Sequence, residues 1–530
     1  MNKVLRGLRR YHFGWILMLG LSLAACGGSG GTSSDANEEA SVDVGGAGQV
    51  PPPPPGVNLP PSDCNPQAPV GPVLYVATDG ADDPARDGSI GAPYATVTYA
   101  LDRAQDGTVV LVRPGDYHGR IRIRGTFATG VTVRSEIPYR ARLRNSDRVI
   151  TAYADGTRGC QGITIEGFDI AHDGPGAGAL VVHLDAGGDG SVSGITLRNN
   201  ILHDSYNNDI LKINNGISDV VVERNMFYNQ TGSDEHIDIN SARSIVVQDN
   251  IFMNDFSGSG RSNANDTSSY IVVKDSNGDT DRFTGSRNIF IRRNIFLNWE
   301  GSSGSNFVLL GEDGQDFYEA EYVTIENNLM LGNSANVMRA PFGIKGGRYV
   351  VFNNNTISGD LPALAFAMRF NREGANPINE QIEMYNNIWS DPTGTMGATS
   401  AGGANDFSDT PAGEVRDVSL NNNLYWNGGA PLPEDANETI NISDDADAIT
   451  ADPGLGDLSG VVPPRWEPGN GRFADGSATI CEAFDTLVQD YGTPAALQIV
   501  DRAKAGPAPD DDILGNTRGA NPDIGAVEVQ

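Results

Sequence analysis

Residues 244–252 read SIVVQDNIF, and residues 219–227 read DVVVERNMF. In each, a strand-like run rich in β-branched residues ends on an asparagine that is followed by two apolar side chains. The same unit recurs as ITLRNNIL ending at Leu202, IFIRRNIF at Phe296, VTIENNLM at Met330, VVFNNNTI at Ile357, IEMYNNIW at Trp389 and VSLNNNLY at Tyr425. ITIEGFDI, ending at Ile170, is a degenerate first copy. The register asparagines are Asn200, Asn225, Asn250, Asn294, Asn328, Asn355, Asn387 and Asn423, and the two shortest intervals between them are 25 residues.

Within each unit apolar and polar residues alternate with period two, as in a half-buried strand. Strands of this length, repeating with no helical pattern between them, fit the coil of a parallel β-helix, in which successive coils stack strand on strand. An asparagine side chain can bond backbone at a tight turn and also reach the asparagine one coil away, so these asparagines are expected to form a structural ladder.

The ends of the chain read differently. Lys3, Arg6, Arg9 and Arg10 precede an apolar run from Phe13 to Ala25, and Leu23-Ala24-Ala25-Cys26 resembles the lipobox of bacterial lipoproteins. The run is shorter than the ~20 residues a membrane span needs, so residues 1–26 are expected to be a signal peptide. The resemblance implies lipidation at Cys26 and a membrane anchor on the bacterial outer membrane or cell surface. Residues 27–70, rich in Gly, Ser and Pro, carry too little apolar surface to offset their ordering entropy and read as a disordered tether. The β-helix is expected over 71–435 and a C-terminal extension, packing on or capping it, over 436–530.

The net charge of −31 argues against nucleic acid as a partner. Apart from Cys26 there are three cysteines, Cys64, Cys160 and Cys481, enough for one disulfide but not for a disulfide framework. A monomer is expected.

Residues 75–119, YVATDGADDPARDGSIGAPYATVTYALDRAQDGTVVLVRPGDYHG, resemble the opening of secreted right-handed β-helix proteins of the pectate-lyase-like superfamily. Their features are a first strand, a Pro-x-Ala-Thr turn, a short amphipathic helix near Val97 to Ala104 that caps the open end, and a Pro-Gly-x-Tyr strand exit. ILGNTRGANPDIGAVEVQ at the C-terminus resembles the closing segment of the same proteins. The resemblance implies an all-β, single-stranded right-handed parallel β-helix with an N-terminal cap helix and an irregular C-terminal extension. That fold hosts lyases, hydrolases, epimerases and binding proteins, so it does not name a reaction.

Stacking converts register into neighbourhood. Upstream of each asparagine strand lies another: ALVVHL, DILKIN, EHIDIN, YIVVKD, NFVLLG, NVMRAP and AFAMRF. With the larger apolar residues inward, His183, Lys212, Asp238, Lys274, Arg339 and Arg369 point outward in one column, with Asp209, Glu235 and His236 beside it. After the first 26 residues the only lysines are Lys212, Lys274, Lys345 and Lys504, so two of four fall on this face. His172-Asp173 and His203-Asp204 fall at equivalent places after their strands and read as part of a polar turn ladder with Asn229, Asn254 and Asn298.

Polysaccharides of uronic acids can be cut by β-elimination, which needs the carboxylate neutralised and a base at C5. Lysine or arginine next to an acid cluster able to hold a hard cation such as calcium suits that task. HIDINSARS, residues 236–244, resembles the segment of the polysaccharide lyase family containing alginate lyases and chondroitinase B that reads roughly E-x-E-I-I-S-x-K-S. The resemblance puts His236 and Asp238 on the calcium-binding acids, Arg243 on the base lysine and Lys274 near the catalytic arginine. Read from the residues alone, Lys212 or Lys274 is the base and Asp209, Glu235 and Asp238 hold calcium, with His183, Arg339 and Arg369 as substrate contacts. Both assignments stand at this level, as do a glycoside hydrolase using Asp209 and Asp238 and a non-catalytic glycan-binding surface protein. An anionic polysaccharide is the expected partner.

Overall fold

The computed structural model describes residues 68–529 except 154–158, 233, 263–265, 334–335, 398, 401–402, 405 and 507. The expected signal peptide, the lipidation site Cys26 and nearly all of the expected tether lie outside the described residues.

The described chain is a parallel β-helix. Each full coil contributes a strand to three parallel sheets. The first sheet includes Ile150–Tyr153, Val182–Asp185, the leading halves of Leu211–Glu223 and Glu235–Gln248, then Ser269–Lys274 and Asn306–Leu310. The second carries the asparagine-ending runs, among them Val192–Arg198, Ser286–Arg292 and Ala320–Glu326. The third collects twelve short strands from Gly115–His118 to Ile449–Thr450. In Leu211–Glu223 and Glu235–Gln248 the first-sheet strand runs into the second with no loop, the register shifting only between Asn214 and Ile217.

The corner between the second and third sheets explains the repeat. The residue before each ladder asparagine adopts a left-handed conformation: Asn199, Arg224, Asp249, Arg293, Asn327, Asn354, Asn386 and Asn422 have φ between 51° and 59°. This turns the chain so that the next residue's side chain points along the helix axis. Asn225 then donates from its backbone N–H (2.8 Å) and its Nδ2 (3.1 Å) to Asn250 Oδ1, and Asn250 donates likewise to Asn294 Oδ1 at 3.1 and 3.0 Å. Each Nδ2 also donates to a carbonyl of the coil before, that of Val222 for Asn250. The ladder runs unbroken from Asn200 to Asn423 and ends on Asp445 Oδ2.

The two apolar residues after each asparagine go to opposite faces, as a strand requires. The second points inward, where Phe227, Phe252 and Phe296 stack at 5.0 and 5.1 Å between ring centres. The first points outward: Ile201, Met226, Ile251, Ile295 and Leu329 form an apolar row on the outside of the third sheet, yet all are fully buried. The chain after Leu458 covers them. Its helix Ile480–Leu487 turns Ile480, Ala483, Phe484 and Leu487 onto that row, and Trp466, Phe473 and Ile513 join them. At the other end, the helix Val97–Leu101, N-capped by Thr96, buries Val97, Ala100 and Leu101 with Val76 and Val110. Cys481 is held in a disulfide, and Cys160 is free and buried.

Replacing one ladder residue strands several buried polar groups at once. Asn250→Ala should cost about 2–4 kcal/mol, since the Asn225 amide, the Val222 carbonyl and Asn294 Oδ1 all lose a partner. Urea denaturation checks this, the midpoint falling with little change in slope.

Candidate functional site

The outward column of the first sheet is fixed by register. Arg122 pairs with Thr151, Thr151 with His183, His183 with Lys212, and Lys212 with Asp238. Next in line come Val272, Leu309 and Gly343, and only then Arg369 and Asp409. Lys274 sits two residues further along its strand, opposite Asn240, on the same face.

Lysine length closes that gap. Lys212 Nζ lies 2.5 Å from Asp238 Oδ2 and 3.7 Å from Asp209 Oδ2, and Lys274 Nζ lies 3.7 Å from Asp238 Oδ2 and 2.8 Å from Glu312 Oε2. Asp238 thus sits beneath both lysines, its side chain 2 % exposed against 22 % for Lys212 and 12 % for Lys274. Burial opposes the charge on each lysine, but the carboxylates outweigh it and raise both pKa values above the ordinary one.

Beside this trio lies a second. One carboxyl oxygen each from Asp209, Asp234 and Glu235 falls within 4.8 Å of the others. Asp209 and Glu235 occupy equivalent positions on adjacent coils, and the Glu235 N–H donates to Asp209 Oδ1 at 3.2 Å. Asp234 comes from the loop just before. Burial, reinforced by Asp238, pushes the Asp209 carboxyl up to about 7. Burial also holds Glu235 well above the carboxylate range, with Asp209 and Glu312 adding to it, and raises Asp234. Asp209 Oδ2 is buried without a hydrogen-bond partner among the described residues. Three oxygen donors so close together, on residues one of which has a buried oxygen outside hydrogen-bond range of any described donor, fit a hard divalent cation such as calcium.

Several expected members are elsewhere. His236 does not project outward. Where the chain turns the corner into the first sheet, His236 and Ile237 both face inward, so strict alternation fails for one residue. The imidazole stacks on Tyr270 at 4.4 Å, bonds Asn254 Oδ1 at 3.1 Å, and burial lowers its pKa to about 3. It is a core residue. Arg243 lies past the sheet boundary in the same strand, on the second sheet beside Arg287, with its guanidinium 4.2 Å from the Phe283 ring centre. Asp238 is taken up by the lysines, and Asp234 completes the carboxyl cluster in its place.

Arg339 precedes the strand in register, Phe342–Ile344, and follows the isolated bridge residue Met338 rather than standing in the column. With Arg369 it grips Asp409, five coils from Asp238. Val272 and Leu309, buried although outward, lie between, so these arginines do not join the lysines. His183 does belong to the column: its ring lies 3.1 Å from Asn214 Oδ1 and 3.7 Å from Asp185, and burial lowers its pKa. His203 pairs with Ala171 rather than His172, one residue off the expected equivalence. It is clamped by Asp169 at 2.8 Å and Asp204 at 2.9 Å, while His172 accepts the Tyr206 N–H.

No protein-family model matches the sequence, and no curated protein matches it. Solved structures that resemble it include pectate lyase Pel9A, at 13 % identity over 87 % of this chain and 97 % of that one, with a TM-score of 0.49. Others are XylC in complex with xylose (12 %, 86 % and 98 %, 0.46) and a mannuronic acid specific polysaccharide family 6 lyase from human gut microbiota (13 %, 70 % and 78 %, 0.43). At these identities no residue role is carried across; the β-helix is read from its own strand register.

The Asp209 carboxyl supplies a test of this geometry. A folded pKa near 7 against 3.8 in the unfolded chain means that between these values the native state keeps a proton the unfolded state releases, so stability falls as pH rises through that window. In chelator, wild type should therefore gain on Asp209→Asn by up to about 1.4 kcal/mol per pH unit as pH drops from 7 toward 4, with parallel behaviour above 7. Denaturant melts across that range measure it.

Proposed function

We propose that this protein is polysaccharide-active and cleaves a uronate-containing glycan by β-elimination, with Lys212 as the base. The observation that supports this most is two lysines gathered over one buried carboxylate beside a cluster of three carboxyls, on a single outward face.

The roles follow from exposure and pairing. Lys274, held by Glu312 and Asp238, stays protonated and pairs with the substrate carboxylate, drawing charge from C5. Lys212 is the more exposed amine; as the free base it takes the C5 proton, the C–H electrons form the C4–C5 double bond, and the C4–O bond breaks. The Lys212 ammonium so formed returns its proton to the departing oxygen, which balances the step. Asp209, Asp234 and Glu235 are the residues that would hold a divalent cation, calcium by donor type, and such an ion would add to the neutralisation of the carboxylate. Hydrolysis by Asp209 and Asp238 is less well supported, because Lys212 lies between the two carboxyls and both are buried beneath it.

Incubation with alginate, pectate and chondroitin or dermatan sulfate, with calcium or with chelator, should raise the ultraviolet absorbance of an unsaturated product on one of them. Lys212→Met should lower that rate by about 10²–10⁴-fold and Lys274→Met should raise KM and lower kcat together. Since neighbouring carboxylates hold Lys212 protonated, the rate should climb with pH into the alkaline range. No absorbance rise on any uronate polymer would sink the reading; new reducing ends without unsaturation would indicate hydrolysis, and binding alone a glycan-binding surface protein.

A further inference from the structure

On the N-terminal side of Lys212 the same column opens into a cleft of about 270 Å³ lined by Arg120, Arg148, Thr151, Tyr153, His183 and Asp185. It differs from the face on the other side of the lysines, where the outward positions Val272 and Leu309 are apolar and covered. Thr151 is 2 % exposed, and its Oγ1 has no hydrogen-bond partner among the described residues. Arg148 Nε is likewise buried and without a hydrogen-bond partner among the described residues, and its guanidinium, on a side chain 35 % exposed, lies 3.9 Å from Asp147. Two residues that line one cleft thus each carry a buried donor unmet among the described residues, a cost that native structures avoid unless a ligand or water meets it. Tyr153 presents its ring at the rim, backed by the Arg122 guanidinium 4.2 Å from its centre.

We infer that this cleft is a binding subsite for an anionic sugar unit, and that the glycan runs along the helix axis from Lys212 toward the N-terminal cap. The inference rests on the proposed function for the identity of the ligand as a uronate polymer. Adjacent coils lie about 4.8 Å apart, close to the rise of one pyranose unit in an extended glycan. A chain whose reacting unit lies over Lys212 therefore sets successive units over His183 and Thr151. Arg148 is the group suited to a carboxylate there, since its planar fork matches carboxylate oxygens. Thr151 Oγ1 meets a ring hydroxyl, and the Tyr153 face lies against a pyranose ring. In a chain of net charge −31, the three arginines Arg120, Arg122 and Arg148 outnumber the two carboxylates beside them, Asp147, which pairs with Arg120 at 2.5 Å, and Asp185, and so favour an anionic polymer locally.

Calorimetry with tetrasaccharides of alginate, galacturonan and chondroitin, and with the carboxyl-reduced neutral form of whichever binds, tests the inference. Arg148→Ala and Tyr153→Ala should each weaken binding by about tenfold or more, whereas Arg416→Ala, an exposed arginine on the second sheet, should leave it unchanged. The carboxyl-reduced tetrasaccharide should not bind. Equal affinity in the cleft variants, equal affinity for the neutral tetrasaccharide, or no binding by any of the three would overturn it. If affinity depends on Arg148 but no unsaturated product forms, the subsite stands and β-elimination falls. Elimination that proceeds with undiminished kcat/KM in both variants leaves the reaction standing and removes the subsite.

Discussion

One buried amide per coil sets the spacing of everything else. Each ladder asparagine is fully buried, and from Asn225 onward each uses its oxygen to accept two N–H groups from one neighbouring coil, and its Nδ2 to donate to both neighbours. A one-residue slip in any coil would break four hydrogen bonds and, because strand side chains alternate, would also turn the outward column inward. The arginines Arg224 and Arg293 adopt left-handed backbone in the turns before Asn225 and Asn294. Arg293 is held there in part by Asp249 at 2.7 Å. The stacking of Lys212 over Asp238, 13 and 12 residues of chain before Asn225 and Asn250, is a consequence of this axial lock.

The site is dominated by charges that are costly to bury. Asp238 accepts two ammonium groups, Lys274 has a second carboxylate in Glu312, and Lys212 a second in Asp209. Such groups are tolerable only together, because removal of one partner leaves its neighbour charged and dry. The carboxyl cluster resolves its repulsion differently, by holding protons: Asp209 and Glu235 both have raised pKa values. Lysines whose charge the carboxylates favour and carboxyls that resist charging therefore stand on adjacent positions of one face.

Much of this was legible in the sequence where period two holds. All eight ladder asparagines, and the sequence His183, Lys212, Asp238 in one column, follow from alternation alone. The errors fall where alternation breaks. His236 sits at a corner with two consecutive inward residues, and Arg243 lies beyond a sheet boundary that no turn residue marks. Arg339 is in a coil whose strand begins three residues later, and His203 is offset by one from its apparent equivalent. Asp234, a loop residue without periodic signal, was not singled out, nor were Thr151 and Arg148, whose cleft depends on the coils around it. The pairing of apolar residues after each asparagine was visible, but the reason was not: Ile201, Met226, Ile251, Ile295 and Leu329 are buried by residues more than a hundred positions downstream.

That cover changes how the molecule behaves as a solenoid. A stack of coils held only by nearest neighbours can fray from either end or gain and lose repeats with modest penalty. Here the segment after Leu458 touches Ile201 and Leu329 alike, tying coils that have no contact with one another into one cooperative unit. It is also synthesised after every coil it covers. Coils can stack as they emerge, but an apolar stripe along the third sheet stays open to other chains until that segment follows, so forms cut before Leu458 carry an aggregation hazard that the covered fold does not.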